Sequence, residues 1–239
     1  MFFPTVDSTN KAAQDFLLKK NIKESFVINT KHQTAGRGQG SNFWESQKGK
    51  NFAFSLVVFP DFLKAKNQFY LLKAISLGII DYLKTIVENV SIKWTNDIYV
   101  GNKKIAGILI ENSIQYDFIS NSVIGVGLNV NQNYFFSDAP NPTSLIIETG
   151  KELNLDEELL KILDALSDRY FQLKCHEFSK LDNDYLENLF GLNEIRKFRN
   201  ESGIFEAKII GVNSIGQLLL ENKNEKLIYN YGELNFYFD

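Results

Sequence analysis

The spacing of apolar residues along this chain separates helical stretches from strands. Near the start, Ala12, Ala13, Phe16 and Leu17 recur at helical intervals behind Asp7-Ser8-Thr9-Asn10, where Ser8 or a neighbour is the expected N-cap. From Phe69 to Val87 the residues Leu72, Ile75, Ile79, Leu83 and Ile86 form a longer amphipathic stripe. A third helix is predicted over 156–174, capped by Asp156, with Leu159, Leu160, Leu163, Leu166, Tyr170 and Leu173 on its buried side.

Between and after these helices the apolar runs are too short for anything but strands. SFVINT is one, and NFAFSLVVF (51–59), ended by Pro60-Asp61, reads as a strand buried on both faces. SIKWT and DIYV are two more, hinged near Asn96, and Gly101-Asn102 marks a tight turn into IAGILIEN. SVIGVGLNVN (122–131) follows, with two glycines that suit close approach of another group to the backbone. Beyond Leu192 the segments GIFEAKIIGV, QLLLENK, KLIYNY and ELNFYF alternate between Gly or Asn turns, as in a small antiparallel barrel or sandwich. The expected organisation is an α+β domain over 1–192 and a separate module over 193–239.

Composition narrows the class of function. With 239 residues, 44% hydrophobic and 23% charged, the chain has ample core and no disorder signature. A net charge of -3 gives no overall attraction to nucleic acid, so an anion site must be a local patch. The single cysteine, Cys175, excludes an intrachain disulfide and a thiolate zinc cluster, and His32 and His176 have no ligand spacing. No run of eighteen apolar residues occurs and the N-terminus lacks a basic leader, so the expectation is a cytoplasmic protein with no membrane partner.

The candidate chemistry begins at TAGRGQGSNFW (34–44), where Gly36, Gly38 and Gly40 alternate around Arg37. The stretch fits neither the dinucleotide fingerprint nor the P-loop, yet glycine backbone can offer N–H groups to an anion and Arg37 can bind a carboxylate or phosphate bidentately. A plain surface turn is the alternative. Trp44 could stack on a purine or simply belong to the core. KWTNDIYV (93–100) groups Lys93, Asn96 and Asp97 at a bend, against the alternative of an Asn-Asp turn with Lys93 in solvent. Lys103 and Lys104 then precede Gly107, one able to point into a shared site and the other outward. Gly125, Gly127 and Asn129 add a flat strand surface and a side-chain amide with both donors and an acceptor, the pattern adenine needs, although Asn129 also suits a strand-end turn.

Taken in order, DSTN, QTAGRGQGSNFWESQKGKNFAFSLVV, KWTNDIYVGNKKIAGILIE and GVGLNVN resemble the catalytic core of biotin protein ligases over most of residues 5–145. The resemblance implies a mixed sheet with flanking helices, related to class II aminoacyl-tRNA synthetases and lipoate ligases, and a C-terminal SH3-like barrel. It implies that biotin and ATP, with Mg²⁺, form biotinyl-5′-adenylate, and that biotin then passes to a lysine of a biotin carboxyl carrier protein. Carried over residue by residue, Ser8, Thr9, Gln33, Gly36, Gly107, Leu109 and Gly125 would line biotin. Arg37 and Lys104 would meet both biotin and the phosphate, and Gln39, Trp44, Asn96 and Asn129 would hold the adenylate. Asp97 is left open between a magnesium ligand and a base. Gln39 and Asn42 stand where many family members carry basic residues, which implies a weaker hold on the adenylate. The catalytic motif begins so early that no DNA-binding domain, and hence no DNA partner, is expected; a homodimer is left open. The rival readings are a lipoate or octanoate ligase on the same fold and an inactive biotin sensor.

Overall fold

The computed structural model describes residues 1–20, 22–40, 42–136, 141–223 and 225–238; Ser41 of the glycine loop lies outside them. In chain order the strands and helices of the first part are β1 (Phe2–Phe3), α1 (Thr9–Lys20), β2 (Phe26–Thr30), β3 (Phe52–Val58), α2 (Phe69–Lys84), β4 (Val90–Lys93), β5 (Asp97–Val100), β6 (Lys103–Gln115) and β7 (Phe118–Leu128). They are followed by α3 (Leu145–Thr149), α4 (Leu155–Lys174) and α5 (Phe178–Glu187), and then by β8 (Ile195–Asn200), β9 (Gly203–Val212), β10 (Leu218–Asn222), β11 (Glu225–Tyr229) and β12 (Asn235–Phe236).

Seven strands form one mixed sheet in the order β1-β2-β3-β7-β6-β5-β4. Its neighbours are antiparallel except for the parallel pair β1 and β2. The protein is therefore α+β, and the C-terminal strands form a second, wholly antiparallel sheet, β11-β10-β9-β8-β12. Alternation along β3 explains its two buried faces. Phe52, Phe54 and Val58 join the main core on one side, while Val57 joins Ala13, Ile28 and Val123 under α1 on the other.

Helix α2 lies in that main core. Thirteen of its sixteen residues are buried, so it is apolar nearly all round rather than one-sided, because the sheet, α4 and α5 enclose it. At Gly78 a Cβ would meet the Leu166 backbone at 2.9 Å, so α2 and α4 approach there as closely as backbones allow. The buried Lys73 of α2 pairs with Asp182 of α5 beneath the rings of Tyr70 and Tyr185.

Several details differ from the sequence expectation. Ser8 does precede α1, its carbonyl accepting the Ala12 N–H at 3.0 Å. In α4, however, the cap is Asn154, whose side chain accepts from the N–H of Asp156 at 3.1 Å. Leu160 is 65% exposed and Ile162 takes its place in the core. Helices α3 and α5 and strand β8 were not expected: α3 and α5 are short, and IRKFRN hides its alternation among charges. No helix among the described residues is long and apolar enough to cross a membrane.

Candidate active site

Pairing register puts the site together. Across five strands, Lys93 pairs with Asp97, Asp97 with Gly107, Gly107 with Gly127, and Gly127 with Ala53, so one row of residues faces one side of the sheet. A neighbouring row, Leu109, Gly125 and Ser55, shares that face. A β-bulge between Ile98 and Tyr99 sets Lys104 opposite Tyr99 and turns it to the same side. Lys103 is left outside, where it meets Glu148 at 3.2 Å. Of the two neighbouring lysines, the inward one is Lys104.

Above this face lies a cavity of about 540 Å³. The glycine loop covers it. Gly38 N–H donates to Asn42 O (2.8 Å) and Trp44 N–H to Gly36 O (3.0 Å), which pairs 36–38 with 42–44 as a small hairpin over the sheet. The indole of Trp44 rests on the two paired glycines. A Cβ on Gly127 would lie 2.3 Å from Trp44 Cε2, and one on Gly107 would lie 3.1 Å from Cζ3. Glycine is required there by the ring, not by the backbone.

On one side of the cavity the Thr9 N–H and hydroxyl both donate to Gln33 Oε1 (2.8 and 3.1 Å). The buried Ser55 hydroxyl lies 2.7 Å from Thr9 Oγ1 and 2.6 Å from Asn10 Oδ1, and Asn10 Nδ2 donates to Glu111 at 2.7 Å. Glu111 in turn faces the half-exposed Arg37 at 3.4 Å, so a carboxylate already occupies the cation expected to meet an anionic ligand. On the other side Lys104 Nζ and Asp97 Oδ1 are 2.7 Å apart, with the ammonium 5.6 Å from the Trp44 ring centroid. Asn129 donates to Thr143 O at 2.9 Å, and its Oδ1 is buried without a partner, as are Trp44 Nε1 and Gln39 Oε1.

Every residue expected at the site lines the cavity except Gly36. Gly36 is buried behind the loop, where a Cβ would lie 2.4 Å from Trp44 O, so its part is to let the hairpin close. Asn96 is on the wall, but its amide is engaged: Nδ2 donates to Ile108 O (2.7 Å) and Oδ1 accepts from the Thr95 hydroxyl (3.1 Å). It braces the β5–β6 corner. Lys93, which an Asn-Asp turn would have left in solvent, also lines the cavity. Missing from the sequence reading were Asn10, Ser55 and Glu111, and the wall that Tyr231, Leu234, Asn235 and Phe236 supply from the C-terminal part. A serine inside the apolar run NFAFSLVV was the one local signal for any of them.

The model of the biotin/lipoate A/B protein ligase family matches residues 2–129, more than half of the chain. The chain belongs to this family. Among curated relatives, the bifunctional ligase/repressor BirA of Bacillus subtilis is 32% identical over 96% of this chain and 72% of its own. The biotin–[acetyl-CoA-carboxylase] ligase of Paracoccus denitrificans is 28% identical over 96% and 97%. Among solved structures, the biotin protein ligase from Aquifex aeolicus in complex with biotin and ATP superposes with a TM-score of 0.81 at 27% identity, covering 99% of this chain and 97% of that one. The family match ends at residue 129, so the C-terminal sheet is related through the full-length relatives and the superposition.

Proposed function

We propose that this protein is a biotin protein ligase, which joins biotin to AMP using ATP and passes the biotinyl group to a lysine of a biotin carboxyl carrier protein. One observation carries the reading: a polar pocket fit for a small ring system and a cation–carboxylate pair lie on opposite sides of one glycine-floored cavity. In the first step a biotin carboxylate oxygen attacks the α-phosphorus, and the bond to the bridging oxygen breaks, so pyrophosphate leaves with the electron pair. Two anions must meet, and Arg37 and Lys104 are placed to neutralise the growing charge. Asp97 fixes the Lys104 ammonium at the point of attack. The unpaired Asn129 Oδ1 suits an exocyclic amine, and the indole of Trp44 suits a stacked base.

In the second step the carrier lysine nitrogen attacks the acyl carbon, an amide forms, AMP leaves and the amine proton passes to a base; Asp97 is the carboxylate at hand. Among the described residues no three His, Cys, Asp or Glu converge, so a Mg²⁺ ion would be held largely by phosphates and water, with Asp97 as a protein carboxylate that could join them, as magnesium commonly accepts. Bound with the triphosphate, it would supply charge neutralisation that Arg37 and Lys104 share. The same reading places the protein in the cytoplasm beside its carrier.

The test is pyrophosphate release with MgATP and either biotin or lipoate, followed by mass spectrometry of an added carrier domain. Release with biotin and a biotin-sized gain on one carrier lysine is expected. Turnover with lipoate alone would move the assignment to the sister ligases, and binding without release would leave a sensor.

A further inference from the structure

Glu111 on β6 stands just outside the cavity, yet it joins the ring pocket to the glycine hairpin. Its carboxylate accepts from Asn10 Nδ2 at 2.7 Å and faces the Arg37 guanidinium at 3.4 Å. Asn10 is fixed from its other end. Its Oδ1 lies 2.6 Å from the Ser55 hydroxyl, and a Cβ on Gly125 would meet that oxygen at 2.4 Å, so the amide is pressed against β7. Turned over, it would set an oxygen against the Glu111 carboxylate, so charge fixes its orientation as well. Ser55 in turn reaches Thr9 in the polar pocket. One run of side chains, Thr9, Ser55, Asn10, Glu111 and Arg37, thus leads from the ring pocket to the cation of the hairpin.

Burial separates the two ends of this run. Ser55 and Asn10 are buried, whereas the Glu111 side chain is 27% exposed and that of Arg37 50%. The bond from Asn10 to Glu111 is a firm part of the pocket wall, because a buried amide that donates to a charge is costly to strand. The ion pair is the weak link: it is partly in water and longer than a charge-assisted hydrogen bond. Arg37 also pairs with Phe43 across the hairpin, so whatever holds its guanidinium holds the hairpin. An incoming carboxylate competes with Glu111 for that guanidinium on equal terms of charge. An ester or an amide does not.

We infer that Glu111 is a positioning residue, which holds Arg37 and the glycine hairpin beside the ring pocket, gives the guanidinium up to an anionic substrate, and takes it back once the acyl group has become an uncharged amide on the carrier. The inference rests on the ligase reading. Glu111 subtracts from the binding of the free acid, because its ion pair is lost when the acid takes Arg37. It leaves the amide product no hold on that cation, which favours release after transfer.

The experiment compares wild type, Glu111→Gln, Arg37→Ala and the double variant in calorimetric binding of biotin and of its uncharged methyl ester. In Glu111→Gln the amide oxygen still accepts from Asn10, and only the pull on Arg37 is lost. Biotin should then bind about two- to fivefold more tightly, the worth of a partly exposed ion pair, while binding of the ester should not change. The gain should vanish when Arg37→Ala is already present. A purely structural part for Glu111 would move acid and ester together. Unchanged or weaker binding of biotin in Glu111→Gln, an equal shift for the ester, or a gain that persists without Arg37 would overturn the inference. If wild type adenylates lipoate and not biotin, the substrate reading falls, and the same comparison with lipoate and its amide still decides the role of Glu111.

Discussion

Gly127→Ala offers a sharp test of the site because one methyl group is aimed at one ring. The added Cβ would lie 2.3 Å from Trp44 Cε2 and 2.5 Å from Nε1. Carbon atoms rest in contact at about 3.5 Å, so the indole must retreat by roughly 1.2 Å. The neighbouring backbone does not yield easily, since Gly127 is hydrogen-bonded between β3 and β6 in the middle of the sheet. The strand itself gains, because alanine in a strand interior is favoured over glycine by about 0.5–1 kcal/mol. That gain offsets part of the packing lost by the ring, and the melting temperature should move little.

Activity should move much more. A displacement of about 1 Å at a positioning group costs on the order of a hundredfold in rate, so kcat/KM for biotin-dependent pyrophosphate release should fall by about that factor. The double-mutant cycle with Trp44→Ala isolates the cause. Without the indole the methyl group has nothing to displace, and adding Gly127→Ala to Trp44→Ala should cost little more than Trp44→Ala alone. Additive losses, or a Gly127→Ala enzyme within about twofold of wild type, would refute the claim that the ring's seat on Gly107 and Gly127 is its working position.

Other predictions follow from single contacts. Asp97→Asn keeps the shape beside Lys104 and removes the charge 2.7 Å away, so adenylation in a single-turnover assay should slow by about 10²–10³-fold. Unchanged adenylation with slowed carrier transfer would assign Asp97 to the second step alone. Gln39→Arg replaces an amide whose Oε1 is buried without a partner by a cation on the cavity wall. Release of biotinyl-5′-AMP, followed by filter retention, should slow, and an unaltered rate would show that position 39 does not govern retention. Lys93 loses its proton at a lower pH than a free lysine, among Asp97, Lys104, Tyr99 and Tyr231. Over the interval between the two pKa values the unfolded chain binds more protons at this residue, so this group makes stability increase with pH there.

Much of this fold was legible because its signals are local. The apolar run of β3, the Gly101-Asn102 turn and the helical stripes each declare an element within a dozen residues. The candidate site was legible for a different reason: DSTN, GRGQGSNFW, KWTND and GVGLN concentrate unusual residue types that a core would not choose. What escaped was non-local. Nothing near Lys93 in the chain announces Phe236, 143 positions later, and nothing in Glu111 announces Arg37; sheet pairing and docking of the C-terminal strands create both contacts. Register escaped the pattern of residues as well, although the resemblance assigned Lys104 to the site. Whether Lys103 or Lys104 faced inward depended on a single bulge, and a one-residue slip would have exchanged them. The cap of α4 missed by two residues because Asn154, Asp156 and Glu157 all suit a helix start, and the choice among them was made by where the preceding loop is pinned, through Leu153 N–H to Asn131 at 3.0 Å.

Of the five buried side-chain atoms without a hydrogen-bond partner among the described residues, three line one cavity, Asn129 Oδ1, Trp44 Nε1 and Gln39 Oε1, while Ser76 Oγ and Arg196 Nε lie away from it. A buried polar atom without a partner costs roughly 1–3 kcal/mol. The apolar core around α2 carries that cost, which is why the site can be rigid without being satisfied. Under the proposed function, a nucleotide that offers an amine to Asn129 Oδ1 would gain its own hydrogen bond and relieve one of these deficits. Arg37 works in the opposite sense. It is already paired with Glu111, so a bound anion must compete with a carboxylate, and the net gain there grows only as charge develops on the transferring phosphate. Under the proposed function, binding energy would be concentrated at the nucleotide side, while Arg37 would act chiefly on the transition state.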